Sequence, residues 1–130
     1  MKHLSAVLLS FIFCFFPRLA PADSLLQRAS QIAEPATNPL EGDSNATLAG
    51  DKLFQRECSA CHGESGQGNG RRHTPILTTG SVKQANPGTL FWILRNGSPS
   101  HRMPSFSHLP AEQRWQIIAY LQRSAPLKKY

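Results

Sequence analysis

Apolar residues return at helical spacing in four stretches of this chain, behind a leader with a different pattern. Leu25, Leu26, Ala29, Ile32 and Ala33 share one face over residues 24–33. That predicts a short amphipathic helix, which Pro35, Pro39 and Gly42 break. A firmer helix is expected over 46–57, with Ser44 or Asn45 as N-cap and Leu48, Leu53 and Phe54 as its apolar residues. Gly50 lies one turn before Phe54. A glycine inside a helix costs about 1 kcal/mol relative to alanine, so close approach of another helix backbone is its expected reason. Asn86-Pro87-Gly88 opens a third helix, from Thr89 to about Asn96, and Gly97 ends it. Its run Leu90-Phe91-Trp92-Ile93-Leu94 is apolar nearly all round, which implies burial on several sides. The last helix begins with Pro110 at N1 and runs to about Ser124, stopping before Pro126. Trp115, Ile118, Ala119 and Leu121 or Gln122 form its buried stripe, with Ile117 and Tyr120 beside it. Glu112 in the first turn and Lys128 and Lys129 after the end complement the helix dipole. The expected fold class is all-α, with one domain and no internal repeat.

The leader reads differently. Lys2 and His3 precede an apolar run from Ala6 to Phe16 broken only by Ser10, and Ala20-Pro21-Ala22 offers a cleavage site. This is the pattern of a secretory signal peptide, with an apolar core too short to span a bilayer comfortably. The expected organisation is a signal peptide at 1–22, an N-terminal extension at 23–45 and the folded domain at 46–130. Cys14 lies within the signal. It is a poor lipid-anchoring cysteine, because Phe13 precedes it where a small residue is wanted. The extension reads as loosely held, the sharper reading being a strap packed on the domain or on a partner. Asn45-Ala46-Thr47 matches a glycosylation sequon by a motif short enough to arise by chance.

Charge changes the picture little. The formal net charge is +6 over 130 residues, and a basic balance can mark a nucleic-acid binder. An exported chain without a Lys/Arg cluster argues against that reading. A basic patch that docks an acidic redox partner suits it better, since complementary charge mainly speeds encounter.

The chemistry lies in Cys58-Ser59-Ala60-Cys61-His62. Two cysteines three apart, followed at once by histidine, form the attachment site of a c-type haem. Both thiols must reach the two vinyl groups of one porphyrin, and His62 is then delivered to the iron from one side. Half a zinc site is the first rival, but no second cysteine pair exists. A dithiol redox pair is the other, and it would require a βαβ context. In a domain of this size the core is modest, so a buried macrocycle would serve as structure as well as active group.

The sixth ligand is sought between the last two helices. Met103 sits there in a proline-flanked loop and is the only methionine besides Met1. A thioether suits haem iron, and a Met/His pair raises a cytochrome's potential. His101 is the nearest rival, with His73 and His108 behind it. A gap-filling role for Met103 is the plain reading. The glycine-rich stretch from Gly63 to Gly70 lacks a phosphate-binding pattern and reads as a loop along the haem edge, where Arg71 or Arg72 could pair a propionate. Trp92 could give its indole N–H to a propionate or be simply a core aromatic.

The ordered set Gly50-x-x-Leu53-Phe54, Cys58-x-x-Cys61-His62-Gly63, Met103-Pro104 and Trp115 with Tyr120 resembles a class I c-type cytochrome over roughly residues 38–122. The resemblance implies three main helices around one haem c held by Cys58 and Cys61 and ligated by His62 and Met103. It also implies that Gly50 and Phe54 meet Ile117 and Tyr120, and that Pro75 offers its carbonyl to Nδ1–H of His62. The helix at 89–96 with Asn96-Gly97 is similar to small cytochromes that serve periplasmic dehydrogenases, quinoprotein ones included. The expected protein is therefore a periplasmic electron carrier and not an enzyme, a monomer or a dehydrogenase subunit without a membrane span after cleavage. Its partners would be redox proteins: a dehydrogenase or membrane complex as donor, an oxidase or reductase as acceptor. A haem enzyme or gas sensor with a labile Met103 is the competing class.

Overall fold

A computed structural model describes residues 23–69, 74–78, 80–100 and 102–123. Residues 1–22, where the signal peptide is expected, with Cys14 and Ala22, the residues Arg71, Arg72, His73 and His101, and the tail from Ser124 lie outside them. Among the described residues the structure is all-helical: α1 (Asp23–Ile32), α2 (Ser44–Glu57), α3 (Ser59–His62), α4 (Gly80–Gln84), α5 (Pro87–Asn96) and α6 (Ala111–Gln122). None of these helices is long and apolar enough to cross a membrane.

The frame is the crossing of α2 and α6, the most extensive helix contact in the fold. A methyl group on Gly50 would stand 2.0 Å from the carbonyl oxygen of Gln116 and 3.0 Å from Cβ of Tyr120. Only a residue without a side chain lets the backbones approach this far, which is the reason for its place in α2. One turn on, the rings of Phe54 and Tyr120 pack with centroids 5.2 Å apart. Phe54, Ile117 and Ile118 are the largest fully enclosed side chains. Leu48, one of the apolar residues of α2, is 50% exposed. The N-cap of α2 is Asp43 rather than Ser44 or Asn45: its Oδ1 accepts from the amides of Asn45 (2.8 Å) and Ala46 (3.1 Å).

Pro110 takes the N-cap position of α6, one residue before the expected N1. The helix also buries Arg114. The guanidinium donates to the carbonyls of Leu109 (2.5 Å), Phe106 (3.3 Å) and Ser107 (3.3 Å), tying the preceding turn to the helix. It also lies over the ring of Phe91, which stacks on Trp115. Gln122 at the other end donates through Nε2 to Val82 and Ala85, holding the short α4 against α6.

The extension at 23–45 is not loosely held. Ala29 is fully buried, α1 packs on α5, and Leu26 joins the main core. The strap that follows hydrogen-bonds to α5 through Ala36 and to α6 through Asn38, whose Nδ2 donates to the Trp115 carbonyl at 3.0 Å.

Candidate functional site

The Cys58–His62 segment is an interrupted continuation of α2. Cys58 leaves the helical conformation while its N–H still reaches the Phe54 carbonyl (2.8 Å), and α3 restarts at Ser59. This break turns His62 inward: its amide donates to the Cys58 carbonyl at 2.9 Å and its side chain is buried. Cys58 is buried in the same wall, and Cys61 is exposed. Neither thiol is in a disulfide. Burial, with smaller contributions from Glu57 and Cys61, pushes the Cys58 thiol up to about 12.

Nδ1 of His62 lies 3.2 Å from the carbonyl oxygen of Pro75. A carbonyl can only accept, so the shared proton sits on Nδ1 and the lone pair on Nε2 is free. Burial lowers the imidazole's pKa against the opposing pull of that bond, so the neutral ring is favoured. The glycine loop brings the two partners together. Gly68 donates to the His62 carbonyl (2.7 Å), and Leu77, two residues past Pro75, donates to the Gly66 carbonyl (2.7 Å).

Met103 is placed by the end of α5. Gly97 adopts φ 70°, and its N–H reaches the Ile93 carbonyl at 2.8 Å. A methyl group there would stand 2.5 Å from the Met103 carbonyl oxygen. Ser98 grips the same residue twice: its amide donates to the Met103 carbonyl (3.0 Å), and its Oγ accepts from the Met103 amide (3.1 Å). Phe106 to Leu94 and Ser105 to Arg95 complete the latch. Of the rival histidines, His73 and His101 lie outside the described residues, and His108 is exposed beside Phe106.

His62 and Met103 open onto one cavity of about 410 Å³, within the range of cofactor sites. Phe54, Cys58, Ile117 and Leu121 form its α2–α6 wall, Leu90, Ile93 and Leu94 its α5 wall, and Pro75, Ile76 and Leu77 the loop wall. Leu25 and Leu26 of α1 and Ser81 and Val82 of α4 complete it, and neither helix was assigned to the site by sequence. For Leu25 and Leu26 the signal was present in their helical spacing; for α4 a single valine gave none. Trp92 is half-buried and is not among the lining residues: the i, i+3, i+4 face of α5 that meets the cavity is Leu90, Ile93 and Leu94.

The arrangement fits a flat apolar macrocycle. The lining is almost wholly hydrocarbon, a thiol stands in the wall, a neutral imidazole enters it and a thioether shares the space. Among the described residues no three His, Cys, Asp or Glu side chains cluster to hold a bare metal ion. Residues 45–121 match the family described as cytochrome c oxidase, cbb3-type, subunit III. The structure is similar to that of cytochrome cL from the marine methylotrophic bacterium Methylophaga aminisulfidivorans MPT, with a TM-score of 0.55 and 25% identity. That likeness covers 81% of this chain and 68% of the other. No curated protein is similar enough to match the chain.

Proposed function

The chain belongs to the class I c-type cytochromes, with haem c attached through Cys58 and Cys61, and we propose that it is a periplasmic carrier of single electrons. The observation behind this reading is that His62 and Met103 share one apolar cavity. Haem c supplies an iron that takes up and gives back one electron. His62, oriented by Pro75, and Met103 would hold the haem iron through Nε2 and the thioether. Protein ligands of this kind would leave no place for a substrate on the metal, and a Met/His pair would keep the potential high. The apolar walls exclude water. Electrons enter from a dehydrogenase or membrane complex and leave to an oxidase or reductase.

The packing of residues 23–45 on their own domain weighs against their use as a free docking strap for one dehydrogenase. The carrier reading is tested by the visible spectrum. The ferric protein should show the weak far-red band of sulfur-ligated iron, and Met103→Ala should abolish it and lower the potential. A missing band in the parent, with ready carbon monoxide binding on reduction, would replace the carrier with a haem enzyme or gas sensor. An unchanged spectrum in Met103→Ala would move the ligand to His101.

A further inference from the structure

The carrier reading gives α1 no task, and α1 lies outside the residues that match the family. Yet Leu25 and Leu26 stand in the same cavity wall as His62 and Met103. The helix is held there by more than its own contacts. Ala29 is fully buried against the fold. Beyond α1 the chain is fixed to α5, where the Ala36 amide donates to Asn86 Oδ1 (3.1 Å) and the Gly88 amide donates to the Ala36 carbonyl (3.3 Å). A methyl group on Gly88 would stand 2.2 Å from the Glu34 carbonyl oxygen and 2.8 Å from the Ala36 nitrogen. The backbone of α5 is thus shaped to receive the strap, and Asn38 pins its far end to Trp115. Gln27, Arg28, Gln31 and Ile32 face outward, so α1 presents leucine to the cavity and mostly polar groups to solvent.

We infer that α1 is a built-in cover of the haem site, in which Leu25 and Leu26 keep water and small ligands from the iron and so raise its reduction potential. The inference rests on the carrier reading. Its physics is that of charge in a dry surrounding: the oxidised site carries one more positive charge than the reduced one. A low-dielectric wall penalises the more highly charged state. Opening the wall to water relieves that penalty, favours the ferric form and lowers the potential.

The test uses the full, haem-loaded protein with the paired substitution L25Q/L26Q, the remote substitution G88A and the exposed control I32Q. Reduction potential and imidazole binding to the ferric form are measured, with the thermal midpoint alongside. L25Q/L26Q should lower the potential and raise imidazole association by about tenfold, the population change for about 1.4 kcal/mol of apolar cover lost across two half-buried leucines. G88A, whose methyl would meet the strap at Glu34 and Ala36 and which is not itself a lining residue, should move both readouts the same way. I32Q should match the parent. Parental potential and parental imidazole binding in folded L25Q/L26Q and G88A would overturn the cover, and if the paired variant fails to load haem, G88A decides alone. The far-red band keeps the two readings apart. Its presence throughout leaves the carrier standing whatever the cover does. Its absence from the parent sinks the carrier, and the imidazole comparison still decides the cover.

Discussion

Nδ1 of His62 lies 3.2 Å from the carbonyl oxygen of Pro75, thirteen residues further along the chain. The bond fixes a proton on the nitrogen that faces the loop and leaves the lone pair of the other nitrogen free. Partners of this kind set the orientation and basicity of a ligating ring. Pro75→Gly keeps the carbonyl but frees its backbone. The expected outcome is a lower reduction potential and a broadened His62 ring signal by NMR, with haem still attached. A parental potential would mean that the glycine loop alone positions the ring.

Gly50→Ala should be the most damaging small substitution on α2. The added methyl would meet the Gln116 backbone at 2.0 Å, and backbone cannot rotate away as a side chain can. Overpacking costs of about 1–3 kcal/mol or more apply. Denaturant unfolding checks this, with Leu48→Gln as contrast. Leu48 is half exposed, so that change should stay within about 0.5 kcal/mol of the parent.

Arg114→Met should lower the unfolding midpoint although it keeps most of the side chain's length. It removes a buried charge that donates to three carbonyls of the Phe106–Leu109 turn. Hydrogen bonds to charged groups contribute about 1.5–3 kcal/mol, and a loss in that range is expected. The same variant leaves the cavity lining unaltered, so the visible spectrum should persist.

Tyr120 gives an alkaline limit. Burial raises its phenol above the ordinary 10.0, against the pull of Arg123, whose guanidinium lies over the ring. The folded state therefore keeps the proton longer than the unfolded one. Stability from this group is intact below about pH 10 and declines as pH rises from there through the raised folded value. Tyr120→Phe keeps the packing on Phe54 and should flatten that decline in unfolding midpoints measured between neutral and strongly alkaline pH.

Removal of the haem by Cys58→Ser with Cys61→Ser should leave a chain that has lost its central packing. A cavity of about 410 Å³ lined by leucine, isoleucine and phenylalanine would be empty. Far-UV circular dichroism should keep much of the α2–α6 signal, while the near-UV signal fades and a hydrophobic dye binds. An apoprotein with a cooperative transition at the parental temperature would show that the macrocycle adds no stability.

The site was legible where the chemistry forces a spacing or a cost. Cys58, Cys61 and His62 must be adjacent to meet one porphyrin, and Gly50 is too costly in a helix without a close neighbour. The resemblance carried Pro75, because a backbone carbonyl leaves no trace in residue type. Other features had no local cause. Asp43, Ser44 and Asn45 all cap well, so residue type alone does not choose among them. Arg114 reads as a solvated helix charge until the turn at 106–109 folds over it. The helix at 87–96 is apolar nearly all round, so its pattern could not say that Leu90 faces the cavity and Trp92 does not. The spacing of Leu25 and Leu26 showed a helix, but its docking depends on Asn86 and Gly88, far along the chain.

The latch at Met103 has a consequence for speed. Gly97 and Ser98 hold that residue by its backbone carbonyl and amide, at the end of a helix already packed into the core. In the proposed carrier, a thioether carried on so fixed a base would have little room to move when the charge beside it changes by one unit. Little nuclear rearrangement would then accompany each arrival or departure of an electron, and the barrier to transfer would stay low in both directions.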